Sequence, residues 1–258
     1  MVRRPASVLR RRARPRRRPG AVTLAFAVPL AAFAYFLAAP ALPALEAGDA
    51  TVLVCSGVGL LFVSATALAL VAARENLIGP VLIILGSGLL VGALNAEGRD
   101  GVGAGANVFE AMLAGALGLI LARLFATAMS AVAVPLFVAA VDVWSVWSGP
   151  SSRLLEDGTD PVDPLSFDLP AWGDRGSAGH LGLSDAVFLT MFAAWAWRYG
   201  FRRRATVAGM VVGLLASLVL SVVYDRAIPA LPLVAAGYLL ANLDRIGRLL
   251  GRSEQRTA

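Results

Sequence analysis

The sequence is short of the residues that build most soluble sites. Cysteine and histidine occur once each, as Cys55 and His180, so the chain cannot form a disulfide framework or a zinc site built on Cys and His ligands. Charge is scarce too. Only 16% of the 258 residues are charged, against roughly 25% in a soluble globular domain. No glycine-rich turn follows a strand-like run to open a helix, so a nucleotide-phosphate loop has no support. No metal and no cofactor is expected.

Apolar residues are what the chain has in quantity. They make up 58% of it, with a mean hydropathy of +0.72, the composition of an all-α polytopic membrane protein. A net charge of +6 would suit a nucleic-acid partner, but all 23 basic residues are arginine and nine of them lie in residues 1–18. That block directly precedes the first apolar run, as a cytoplasmic flank does, so no nucleic-acid partner is expected. Cys55 lies inside an apolar run and reads as a small packed residue.

Crossing a ~30 Å hydrocarbon core at 1.5 Å per residue takes about 20 apolar residues. Eight runs qualify, at 21–41, 51–73, 77–95, 105–122, 127–148, 179–197, 206–223 and 227–243. From Gly105 to Ser148 only Arg123 interrupts 44 residues; one helix of that length would be twice the bilayer, so two helices and a tight turn are predicted. The first run also carries signal-peptide features, a basic flank and the small residues of APALPALEA, but it exceeds the usual ~7–15 apolar residues.

With the amino terminus inside and eight crossings, 19 of the 23 arginines fall on the inner side; only Arg99, Arg153, Arg175 and Arg226 fall outside. The positive-inside rule then holds at every inner connection. The expected organisation is a basic cytoplasmic tail (1–20), four amino-terminal helices (21–123), a second transmembrane region (124–243) containing an acidic outer loop (149–178), and a basic carboxy-terminal tail (244–258). The loop, rich in Pro and Gly, reads as solvated chain. Trp144, Trp147 and Trp172 read as interface anchors. His180 reads as an interfacial polar residue, and Glu110 as lying near the outer headgroups.

Two acids interrupt the second region. An Asp at the centre of a membrane helix costs ~2.5–3.5 kcal/mol on insertion scales, so such residues face a polar cavity or a partner. Asp142 lies six residues before Ser148, where its helix leaves the membrane, and Asp185 six residues after Gly179, where the next one enters. At 1.5 Å per residue both are ~9 Å below the outer ends. Two adjacent carboxyls share a proton and titrate as a pair. Such a pair suits acid–base hydrolysis of a peptide bond, a proton relay in a transporter or channel, or a structural polar contact; spacing alone leaves all three open.

A third feature lies at the same end. Pro229 and Pro232 frame Ala230 and Leu231 at the start of the last apolar run, which predicts irregular backbone. At membrane depth that is tolerated when buried in protein or lining a water-filled cavity. The glycines of ILGSGLLVG and AGMVVGLL could permit close helix packing.

Together these three segments resemble the presenilin and signal peptide peptidase family of intramembrane aspartyl proteases, which carry Tyr-Asp, Gly-x-Gly-Asp and Pro-Ala-Leu in three helices. Here the motifs stand as Val141-Asp142, Gly182-Leu183-Ser184-Asp185 and Pro229-Ala230-Leu231. The likeness covers residues 135–243, and departs from the family at Val141 and Ser184. It implies a presenilin-like helical bundle of eight or nine helices and a catalytic dyad of Asp142 and Asp185. Gly182, Leu183, Ser184, Pro229, Ala230 and Leu231 would shape the site and hold unwound substrate. Single-pass membrane proteins or signal-peptide remnants would be its substrates, entering from the lipid bilayer. With the loop between the aspartates outside, the orientation is that of signal peptide peptidase.

Overall fold

A computed structural model of the chain describes residues 19–46, 48–73, 78–96, 105–148, 166–173 and 176–254. Among these residues are nine α-helices: α1 (Pro19–Ala38), α2 (Asp49–Ala69), α3 (Ile78–Ala96), α4 (Ala106–Leu124), α5 (Ser130–Ser148), α6 (Leu183–Arg198), α7 (Arg203–Tyr224), α8 (Leu231–Leu240) and α9 (Leu243–Glu254). The fold is mostly helical. Four helices are long and apolar enough to cross a membrane: α2 with the turn that extends it, α4, α5 and α7.

α6 sits at the centre. Residues from Asp185 to Ala196 are buried almost without interruption, as in a helix that is covered on all sides. Its main neighbour is α4, which also packs on α2 and α3; α7 and α8 form the other closely packed pair. Phe192 and Trp195 of α6 stack at 5.8 Å, and Phe192 meets Tyr238 of α8 at 5.1 Å. The core is therefore shared by α4, α6, α7 and α8.

Glycine sets the distance between α7 and α8. A Cβ on Gly209 would lie 2.7 Å from the Gly237 carbonyl oxygen, and one on Gly237 would overlap the Gly209 backbone. The two helices touch main chain to main chain. Gly86, Gly88 and Gly92 of α3 face open space instead, so AGMVVGLL provides the close approach and ILGSGLLVG does not.

One buried amide in this core is fully engaged. The fully buried Asn242 donates to Thr206 Oγ1 at 2.7 Å and to the Tyr238 carbonyl at 2.8 Å, and its Oδ1 accepts the Arg202 N–H at 3.0 Å. One amide thus joins the end of α8 to the start of α7. Asn242→Ala is expected to lower stability by about 1–3 kcal/mol, because buried groups lose their partner; a thermal melt of the purified protein in detergent checks this.

Three expectations change. Residues 243–254 of the basic carboxy-terminal segment are a packed helix: Ile246, Leu249 and Leu250 turn to the core while Asp244 and Arg248 stay exposed. The end of the acidic loop expected at 149–178 and the start of the helix expected at 179–197 form a hairpin, strand β1 (Ser166–Pro170) pairing antiparallel with β2 (Ser177–Gly182), which amends the all-α reading. Phe167 and Leu169 are buried and alternate with Ser166 and Asp168, a period-2 pattern hidden among acids. The last apolar run, 227–243, is helical only from Leu231 to Leu240 before α9 begins. The tail at 1–18 and the loop at 149–165 lie outside the described residues.

Candidate active site

Asp185 is the third residue of α6, because Gly179–Gly182 belong to β2 and the helix starts only at Leu183. The depth comparison assumed a helix through Gly179; extended chain leads into the site instead. Gly182, at the N-cap, has extended backbone, and its N–H bonds the Asp185 side chain. This is one half of a capping box, in which an acid at the third helical position reaches back to the N-cap amide. It is also the local reason an acid is tolerated there. Asp185 is buried, with 8% of its surface exposed.

Asp142 arrives from a different helix. It lies one and a half turns before the end of α5 and is half-buried, and its Oδ2 accepts the Leu231 N–H at 3.0 Å. Leu231 opens α8, where the first N–H groups have no partner within the helix. Pro232 has no N–H to offer, and the Leu233 and Val234 N–H groups both bond the Ala230 carbonyl, at 3.1 and 3.0 Å. Asp142 therefore caps α8 across space. Each carboxylate sits at the N-terminal end of a helix, where main-chain N–H groups lack partners within the helix.

The Asp142 carboxyl interacts electrostatically with Asp185. Residues 227–230 are irregular, as the prolines predicted; Pro229 is buried, and the Ile228 N–H is taken up by Ser221 Oγ at 3.2 Å. Gly182 and Leu183 are half-buried, Leu231 is buried, and Ser184 is exposed. A Cβ on Gly182 would stand 3.2 Å from Asp185 Oδ2, which explains glycine beside that carboxylate. α5 packs chiefly on α8 and only lightly on α6, so Asp142 is held to the bundle through the Pro-Ala-Leu segment.

The hairpin that delivers Asp185 is fixed by residues the sequence reading passed over. Asn107 of α4 donates to the Asp168 carbonyl at 2.8 Å and accepts the Asp168 N–H at 3.0 Å, as a neighbouring strand would. Ser56 of α2 donates to the Ala178 carbonyl at 3.0 Å. Asn107 was visible as a polar residue in an apolar run, but its partner was not. Asn107→Ala is expected to cost about 1–3 kcal/mol, since the Asp168 N–H and carbonyl lose both bonds; denaturation in detergent measures it.

Other candidates find different places. His180 Nδ1 pairs with Asp168 Oδ1 at 2.9 Å across the hairpin. Trp144 and Trp147 are exposed on α5, while Trp172 is half-buried and donates to Tyr35 Oη at 3.2 Å. Glu110 is buried in the protein, and Cys55 is buried within α2. Asp225 ends α7 in a left-handed conformation with φ 47°, a helix stop of a known type. Comparison of the sequence with protein-family models and with curated proteins found no match.

Proposed function

We propose that the chain is an intramembrane aspartyl protease with Asp142 and Asp185 as its catalytic dyad. The observation that supports this reading is that Asp142 is tied to the Pro-Ala-Leu segment, accepting the Leu231 N–H, and also within electrostatic reach of Asp185. A purely structural acid needs only one such partner.

With one proton shared by the pair, the ionised carboxylate takes a proton from water as the oxygen attacks the scissile carbonyl carbon. The protonated partner hydrogen-bonds the carbonyl oxygen and transfers its proton to it. Collapse of the gem-diol intermediate breaks the C–N bond: the leaving amine takes the proton held by the first carboxyl, and one gem-diol hydroxyl returns its proton to the second, restoring the pair with one proton. The Leu231 and Gly182 N–H groups orient the two carboxylates throughout. The irregular backbone at 227–230 offers unwound substrate groups to bond, and unwinding is required because a helical peptide bond is shielded by its own hydrogen bonds.

The bundle crosses the membrane eight times in a presenilin-like arrangement, with both termini cytoplasmic and the loop at 149–178 outside. Substrates are single-pass segments or signal-peptide remnants in the orientation that signal peptide peptidase accepts. The test is purified protein in liposomes with a broad panel of membrane-spanning peptides. Cleavage blocked by a transition-state analogue of peptide hydrolysis is the expected result; a proton current with no peptide products would establish the transporter reading in its place.

A further inference from the structure

The opposite end of α6 carries a second feature. Where α4 and α6 both terminate, a cavity of about 310 Å³ opens between them, lined by Arg123 and Arg198 together with Ala122, Trp195 and Trp197. Its volume is at the lower end of the ~300–1,000 Å³ of small-molecule sites, room for a compact polar group and not for a peptide. Its walls are fixed. Trp195 Nε1 donates to the Ala122 carbonyl at 3.0 Å, and the Arg203 guanidinium lies 5.2 Å from the centre of the Trp197 ring.

Two arginines from different helices converge on this cavity. Both also make contacts within the protein. Guanidinium groups present a planar fork that matches phosphate oxygens. A soluble phosphate and a lipid headgroup share that chemistry, and the rim separates them: Leu124 and Phe125, directly after Arg123, are 71% and 47% exposed. Apolar side chains beside a basic, tryptophan-walled cavity suit a ligand that has acyl chains below its phosphate. Basic pockets between membrane helices on the cytoplasmic side bind anionic headgroups in this way.

We infer that the cavity between the ends of α4 and α6 holds the phosphate of an anionic phospholipid, gripped by Arg123 and Arg198. The inference rests on the membrane reading but not on proteolysis. The test uses full-length protein in phosphatidylcholine nanodiscs doped with headgroup-labelled phosphatidylglycerol or labelled phosphatidylcholine, and reads the protein-bound fraction of label. Wild type is expected to prefer phosphatidylglycerol, and R123Q/R198Q to lose about tenfold of that preference. R202Q removes a charge that pairs with Asp244 outside the cavity and is expected to keep the preference.

Three results would overturn the assignment. One is an undiminished preference in R123Q/R198Q. Another is an equal loss in R202Q, which would indicate unspecific attraction to the basic surface. The third is displacement of the labelled lipid by millimolar glycerol phosphate, which would point to a soluble ligand. Should the double variant fail to fold, R198Q alone alters only an exposed side chain, and unchanged preference in it overturns the assignment equally.

Discussion

Asp142→Asn is expected to abolish cleavage of a membrane peptide while leaving the bundle assembled. Asparagine keeps a carbonyl oxygen that can accept the Leu231 N–H, so the cap on α8 survives and only the acid–base function is removed. General acid–base chemistry contributes typically ~10²–10⁴-fold to rate, so cleavage of a membrane peptide is expected to fall by at least that factor. Asp185→Asn should do the same, and the double variant should be no worse than either single one, because residues acting as a unit are not additive. Asp142→Ala differs in a second readout: it leaves the Leu231 N–H without its acceptor and should lower stability by about 1–3 kcal/mol. Retention of more than a tenth of the activity in Asp142→Asn, with the fold intact, would rule out the dyad.

The second large effect is expected far from any carboxylate. Gly237→Val places a branched side chain where the Gly209 backbone already stands. Main chain on both sides cannot yield as a side-chain end could, so α7 and α8 must separate, at a cost of at least about 1–3 kcal/mol. α8 begins with the N–H that holds Asp142, so activity should fall with stability. Gly92→Ala in α3 is the control: nothing lies within 4 Å of the added methyl, and neither melting temperature nor cleavage should change. Paired melts and cleavage assays of the two variants distinguish a loss specific to this contact from a general intolerance of added bulk.

Much of the candidate site was legible because its chemistry is costly. Asp142, Asp185 and the two prolines stand out in an apolar sequence, since a membrane segment tolerates neither charge nor a missing backbone donor without compensation. How the segments meet was not legible. The bond from Leu231 to Asp142 spans 89 positions, and no local pattern specifies which acceptor an exposed helix end will find. The hairpin was hidden for a related reason: Phe167 and Leu169 are only two apolar residues amid acids, and their partners Asn107 and Ser56 lie on α4 and α2. The carboxy-terminal helix was obscured by its own composition. Its arginines read as a tail until Ile246, Leu249 and Leu250 were seen to share the core-facing side.

Helix α8 has 10 residues, hence a length of ~15 Å against a hydrocarbon core of ~30 Å. Beside it, the 19 residues of α5 reach almost the full thickness. With α8 embedded in the bilayer as proposed, lipid next to it would meet a hydrophobic mismatch, relieved by drawing the bilayer thin or by letting water in, at fractions of a kcal/mol per Å. Both remedies bring the aqueous phase closer to Asp142 without moving any part of the protein. Membrane thickness thereby becomes a setting of this site, and lipids that stiffen or thicken the bilayer raise the work of hydrating it.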